Sequence, residues 1–475
     1  MRIHLSRFLG WLGVFVAVGV AAHAEFSAGF AAVDITPPIG WRRAGGYSEV
    51  LGTGVKDPLQ AKAVVVAQGG TAVAFVGNDL CSVPRELTDR ARAAASKKTG
   101  IPVANIVITA THTHGGPEFF GPLREALHAR ATTENGGIDP REPQDYQARL
   151  VESWTEAIVR AHAARKPVTL SVVVPQQTGL AFNRRYLMKD GSVVTNAGYL
   201  NPKIFYPAGP TDPDLPFVLA RDGATNRPLG SLTVFAMHTA IHGGPLFSAC
   251  YPGHLQLELR RLLNAPDFVS VFGEGAAGDV NHIDVSRPAR PREEAAEYPS
   301  VVGSKLAATL VEALPLARPV RDGQLAMRSV TIKSPVTPLT PADYAAAKQM
   351  METLDRNGAK GLTVVDAWRK IFRHEYWQKH GGFLPQEVQV IRLDRDTAIV
   401  TLPHEIFVEL GMAIKAGSPF RTTIVVSLAN DLDFYIPTRR AFEEGSYEPT
   451  TCPLEPGCGE LLVDAAVKLL REMKP

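Results

Sequence analysis

Asn105-Ile106-Val107-Ile108-Thr109-Ala110-Thr111-His112-Thr113-His114-Gly115-Gly116-Pro117 is an apolar, β-branched run that gives out into two histidines and a Gly-Gly-Pro turn. The run predicts a buried strand. Residues i and i+2 of a strand face the same side, so His112 and His114 are expected to share a cleft at its C-terminal end, as a metal ligand beside a general base. The same context recurs downstream, where the strand Ser231 to Met237 runs into His238. Two strand-terminal histidines far apart in sequence are how a rigid sheet offers neutral imidazoles to a catalytic zinc while leaving a position open for water. Alone, each of them also fits a packed core histidine.

Around these two anchors the chain alternates strands with helices. Lys62 to Ala67 and Thr71 to Val76, joined by Gly69-Gly70, read as a hairpin. Further strands are expected at Leu170 to Val174, Phe268 to Phe272, Glu387 to Leu393, Thr397 to Leu402 and Thr422 to Ser427. Helical length and period mark Pro84 to Lys97, Pro143 to Ala164, His254 to Leu263, Glu293 to Leu314, Pro341 to Leu354, Glu405 to Lys415 and Gly459 to Met473. Hairpins mixed with long helices predict an α/β fold of mixed β-sheets layered with α-helices, not a doubly wound sheet. The chemical motifs are scattered from residue 34 to residue 447, and a single site must gather them, so residues 25–475 read as one domain. The charged, aromatic stretch from Pro341 to Gly382 is a possible helical insertion. A solvated helical excursion with Trp368, Phe372 and Trp377 packed on the body fits it better than a lid.

The composition excludes some partners. The 475 residues carry 50 Lys+Arg against 48 Asp+Glu, a formal net charge of +2, and 45% are hydrophobic. Residues 1–24 hold Arg2 and Arg7 and no acid, so the remainder is balanced. Without clustered positive charge, neither nucleic acid nor an anionic membrane surface is the expected partner. Arg2 and Arg7, the apolar Phe8 to Ala22 and the small-residue site Ala22-His23-Ala24 read as a cleaved signal peptide. That places the mature protein in the periplasm or outside the cell, with no integral membrane segment after cleavage. In such an oxidising compartment Cys452 and Cys458, which flank a Pro- and Gly-bearing loop, are expected to form a local disulfide. Spacing leaves Cys81 and Cys250 open.

Other stretches add chemistry. Glu405 follows Pro403-His404 at a strand end, where a carboxylate can complete a His/His/Glu set or simply compensate the charge of a helix N-terminus. Gly273 to Gly278 is a turn able to present backbone N–H groups to an anion. It has neither the Walker A nor the Rossmann spacing, and the chain has no G-x-S-x-G elbow, which argues against nucleotide binding and an α/β-hydrolase. Tyr435 and Tyr447 read by themselves as packing residues.

In order along the chain these motifs resemble the neutral (non-lysosomal) ceramidase family. Ala32-Val33-Asp34-Ile35-Thr36-Pro37-Pro38 looks like its D-I-T-P signature, Asn78-Asp79 resembles the acidic residue after its second strand, and Thr111 to Pro117 is similar to its T-H-T-H-S/G-G-P motif. Asn183-Arg184, His238, Tyr251-Pro252-Gly253, Gly278-Asp279, Pro403 to Glu405 and Tyr435 to Thr438 continue the series, over roughly residues 30–450. The resemblance implies a zinc ion held by His112, His238, Glu405 and Tyr435. It implies that His114 stands beside the reacting centre, Arg184 near the substrate and Tyr447 as a second active-site tyrosine. The implied chemistry is hydrolysis of an N-acyl amide, in which zinc polarises the carbonyl and lowers the pKa of a water. Two departures stand out. Asn281 occupies the place of a serine important to catalysis in the family, which leaves Asn281 as an amide donor to an oxyanion and His282 or Asp284 as proton-transfer groups. The sequence also stops soon after the tyrosine motifs, where ceramidases carry a further β-sandwich domain, so long-chain lipid at a membrane is the less secure substrate. The expectation is a secreted zinc amidohydrolase acting on a small-molecule or lipid-like substrate. The alternatives are the same fold acting on a carbohydrate-linked or other polar substrate, and a zinc-containing binding protein without catalysis.

Overall fold

The computed structural model describes residues 25–475 except 47, 242, 322, 354–361 and 432–433; the expected signal peptide and part of the 341–382 segment lie outside the described residues. A nine-stranded mixed sheet forms the centre. Its order is Val269–Glu274, Pro228–Phe235, Phe217–Asp222, Lys166–Val173, Ser27–Asp34, Gln60–Gln68, Thr71–Asn78 and Ile106–Ala110, with Arg318–Pro319 also paired to Lys166–Val173. Pro228–Phe235 runs parallel to Val269–Glu274, and Thr71–Asn78 parallel to Ile106–Ala110. The remaining pairs are antiparallel. A four-stranded sheet, Ala326–Pro335, Phe383–Arg392, Thr397–Thr401 and Thr422–Val426, packs against it. Val64, Phe75, Val107, Val234 and Val271 meet Ile391, Ile399, Ile424 and Val426 between the two layers. This is the layered mixed α/β arrangement expected from the sequence.

The large sheet curls back on itself. Gly77, in Thr71–Asn78, lies so close to the far edge strand that a Cβ would stand 2.5 Å from the Phe272 carbonyl oxygen. Glycine is required there because two backbones touch. The chain after Thr422–Val426 seals the gap: Thr109 bridges Ala429, and Asn430 Oδ1 accepts from Ile108 N at 2.9 Å. The segments that follow Ile106–Ala110, Pro228–Phe235 and Thr397–Thr401, carrying His112, His238 and Glu405, are thereby brought to one place.

Helices cover the outside faces. Tyr146–Ala163 starts at Asp145, whose side chain accepts from Ala148 N at 2.9 Å and so satisfies one of the four open N–H groups of the first turn. Leu150, Trp154, Ala157, Ile158 and Ala161 recur at helical spacing and pack, fully buried, with the helix Arg85–Thr99 on the sheet. Cys250–Leu262 and Arg292–Ala313 cover another face.

Several expectations are corrected in detail. The helix expected from Glu405 begins at Val408; Glu405–Ile406 is a short strand paired in parallel to Tyr435–Ile436, because the backbone there is claimed by the neighbouring chain. Cys452 and Cys458 are free, buried thiols instead of a disulfide. Cys458 is hydrogen-bonded to Cys452, and that bond, with burial, holds it well above the usual thiol range. The 341–382 region forms the helices Pro341–Glu352 and Leu362–His380, with Tyr344 stacked on His374 at 3.8 Å. Trp377 is 39% exposed, its ring beside Gly382, whereas Trp368 faces a cavity. Among the described residues no helix is long and apolar enough to cross a membrane.

Truncating the fully buried Trp154 to Ala should cost about 3–5 kcal/mol, from lost burial plus the cavity left behind. Equilibrium urea unfolding of wild type and Trp154→Ala measures it.

Candidate metal centre

Ile106–Ala110 ends two residues before His112, whose φ of 62° turns the chain into the left-handed region. His112 and His114 are therefore gathered by a loop rather than by strand alternation, yet their Nε2 atoms stand 3.4 Å apart. His112 Nδ1 donates to the Cys81 carbonyl oxygen at 2.8 Å, and His238 Nδ1 donates to the Ala277 carbonyl oxygen at 2.8 Å. A carbonyl only accepts, so both neutral rings carry their proton on Nδ1 and turn an Nε2 lone pair inward, the arrangement that orients a metal-binding histidine.

Both lone pairs face one oxygen. Glu405 Oε2 lies 3.3 Å from His112 Nε2 and 3.0 Å from His238 Nε2, and it is buried. With both rings neutral, three lone pairs converge in a buried space and repel unless a cation, a metal ion or a proton on His112, stands among them. The set thus fits a divalent metal, and His112, His238 and Glu405 form a candidate metal-binding group. Protons respond to the same geometry. Burial disfavours charge on His112, but the Glu405 carboxylate outweighs it and holds the imidazole well above its usual range. Burial would raise Glu405, but His112 and then His238 hold it well below the carboxylate range. His238 is pushed down to about 4 by burial and by Arg184. His114 is held well below the usual range by burial, His112 and His238.

Tyr435 is delivered by the strand pair that carries Glu405, since the two residues are partners in its register. Its ring lies parallel to that of His238 at 6.3 Å, and its hydroxyl is hydrogen-bonded to Arg184. Tyr447 packs edge-on against Tyr435 at 5.4 Å. Arg184 ties these groups together: Nη1 is 3.1 Å from His238 Nε2, Nη2 donates to the Gly278 carbonyl oxygen at 2.7 Å, and Nε donates to Glu448 at 2.8 Å. Glu448 also accepts from Arg185 at 3.0 Å and from Thr195 at 2.7 Å, so one buried carboxylate fixes two arginines. The Gly273–Gly278 turn therefore offers carbonyl oxygens to the site through Ala277 and Gly278, not the N–H groups expected of an oxyanion hole.

The centre opens into a cavity of about 130 Å³. His112, His114, Glu405, Tyr435 and Tyr447 form its floor, and Cys81, Phe119, Phe120, Trp368 and Arg369 contribute to its walls. His114 Nδ1 is 3.1 Å from the Gly45 carbonyl oxygen, and Gly45, at φ +85°, has no room for a side chain, since a Cβ would meet the His114 ring at 2.5 Å. Asn281 is not among the residues lining the cavity. Its amide donates to Asn196 Oδ1 at 3.0 Å and accepts from Ile283 N at 2.9 Å. His282 is half-buried beside Tyr298 and pushed down to about 4 by desolvation and Arg290. Asp284 accepts from Ser286 and pairs with Arg287 on the surface. Asp79 pairs with Lys62 at 3.0 Å, away from the ligand set. A second acidic cluster, His128, Asp139 and Glu142, is neutralised by Arg42 and Arg124.

Sequence reasoning named the five groups of the floor and Arg184. It did not assign Glu448; a buried Arg184-Arg185 pair demands an acid, and that is the signal. Cys81, Trp368 and Arg369 carried no signal of proximity, because only the fold brings them to the cavity.

The profile of the family "Neutral/alkaline non-lysosomal ceramidase, N-terminal" matches residues 26–247. No curated protein matches the sequence. Among solved structures, the neutral ceramidase from Pseudomonas aeruginosa is similar with a TM-score of 0.70 at 19% identity, over 95% of this chain and 75% of that one. A ceramidase complexed with C2 is similar with a TM-score of 0.68 at 18% identity, over 95% of this chain and 76% of that one. The resemblance read from the motifs is borne out: residues 26–247 match the N-terminal domain model of the neutral/alkaline non-lysosomal ceramidases, and nearly the whole chain shares the fold of the solved neutral ceramidase.

Proposed function

We propose that the protein is a zinc-dependent hydrolase of N-acyl amides or related acyl bonds. The observation that carries this reading is the convergence of His112 Nε2 and His238 Nε2 on the buried Glu405 Oε2, at the floor of a cavity that also holds His114. His112, His238, Glu405 and Tyr435 would hold the ion. Zinc bound there supplies a Lewis acid for the scissile carbonyl and acidifies a water beside it.

The chain's own residues supply the rest. Gly45 fixes the proton of His114 on Nδ1 and burial keeps the ring neutral, so its Nε2 lone pair takes a proton from the attacking water and returns it to the leaving nitrogen. Arg184, locked by Glu448 and Gly278, holds the Tyr435 hydroxyl and sets Tyr447 beside it. Asn281 acts at one remove: Val280–Asn281 pairs with Phe182–Asn183 and so seats Arg184. The four ligands come from positions 112 to 435, which supports reading residues 25–475 as one catalytic unit. The leader-like residues 1–24 support placing that unit in the periplasm or outside the cell.

Metal content tests the ligand set. Glu405→Gln and His238→Ala should each lower zinc affinity by about a hundredfold or more, whereas Asn281→Ala should retain zinc and turn over more slowly. Plasma mass spectrometry after dialysis, with circular dichroism as the check on folding, reads this. Release of fatty acid from an N-acylsphingosine, detected by mass spectrometry, tests the bond class. Activity should vanish with a chelator and return with zinc. Retained activity in metal-free His238→Ala would sink the reading.

A further inference from the structure

One wall of the cavity that opens from the metal centre belongs to the helix Leu362–His380, which contributes Trp368 and Arg369. Arg369 is only 9% exposed, and its guanidinium lies 4.8 Å from the Trp368 ring and 5.9 Å from the Phe372 ring. Stacking of this kind pre-organises the planar donor fork that suits a carboxylate. Trp368 Nε1 is buried with no hydrogen-bond partner. An indole N–H left in that state is costly unless something arriving accepts from it. Phe372 packs edge-on against Phe434 at 6.0 Å, which pins the helix to the residue preceding Tyr435.

The charges lining the cavity agree. Among the described residues lining it, the one carboxyl group apart from Glu405 in the metal centre is Glu118. Burial, followed by the neighbouring Glu142, pushes Glu118 up to about 8, so it is protonated at neutral pH and does not repel an anion. Phe119, Phe120 and Leu123 contribute apolar wall. A ligand matched to this space has a short apolar arm and an anionic end, with little between them in about 130 Å³.

We infer that the substrate class is an N-acyl amide bearing a carboxylate, as in an N-acyl amino acid, with Arg369 and the Trp368 indole N–H receiving the carboxylate. This rests on the hydrolase reading above and names its substrate. Hydrolysis then breaks the acyl carbon–nitrogen bond and joins the water oxygen to the acyl carbon. One water proton goes to the nitrogen, and a carboxylic acid and a free amino acid leave. Arg369 is a specificity-determining residue and takes no part in bond breaking.

The test compares N-hexanoylglycine with its neutral counterpart N-hexanoylglycinamide on the zinc-loaded protein. Wild type should favour the carboxylate, and Arg369→Gln should lower the ratio of the two kcat/KM values by about ten- to a hundredfold, mainly through KM, since hydrogen bonds to a charged group carry that much. Arg369→Lys should restore part of the ratio. Trp368→Phe should lower it less, and it provides a second variant if Arg369→Gln fails to fold. A wild type indifferent to the carboxylate, or an Arg369→Gln variant that slows both substrates in proportion, overturns the inference. If neither compound is hydrolysed the amidase reading fails. Calorimetric binding of N-hexanoylglycine to the metal-free protein then decides: affinity at least tenfold weaker in Arg369→Gln supports the carboxylate site, and equal affinity overturns it.

Discussion

The structure depends on holding three lone pairs against one another. His112 Nε2 and His238 Nε2 both come within 3.3 Å of the buried Glu405 Oε2, a placement that only a surrounding scaffold can impose. Each imidazole is held from behind by a carbonyl oxygen, of Cys81 for one and Ala277 for the other. Those carbonyls sit where they do because the large sheet curls until Gly77 touches the strand of Phe272. The curl, the carbonyl clamps and the converging donors are one chain of cause.

Arg184 shows how the protein manages charge at this place. Its guanidinium reaches His238, Gly278 and Glu448 at once. An uncompensated buried cation would be costly, and Glu448, fully buried, is what answers it. The second arginine, Arg185, shares the same carboxylate, so the short helix Tyr447–Thr451 is tied by charge to the strand Arg185–Met188.

Much of this was legible from the residues. The apolar run ending at Ala110 and the one ending near His238 carried both period and chemistry, and the strands and their histidines lie where the pattern put them. The hairpin at Gly69-Gly70 was readable because its turn chemistry is local. What failed did so for physical reasons. Glu405 looked like the start of a helix, since sequence cannot show that Tyr435–Ile436 claims its backbone. The left-handed turn at His112 was hidden behind an apparent strand alternation that reaches the same result by another route. The short strands Arg185–Met188, Val193–Thr195 and Ile204–Pro207 went unread, because runs of three or four residues are too short to display a period. Asn281 drew attention through likeness alone, and its amide is engaged by Asn196 and Ile283.

The helix Leu362–His380 has a consequence for how such a protein changes over time. It forms a wall of the cavity but supplies none of the residues gathered around Glu405, and its hold on that region includes the packing of Phe372 on Phe434. A wall attached in this way is exchangeable. Replacing the face around Trp368 and Arg369 while keeping Phe372 alters which molecules fit and leaves the imidazoles and the carboxylate in register. The centre can remain fixed while selectivity drifts, with one hairpin of helices as the part that varies.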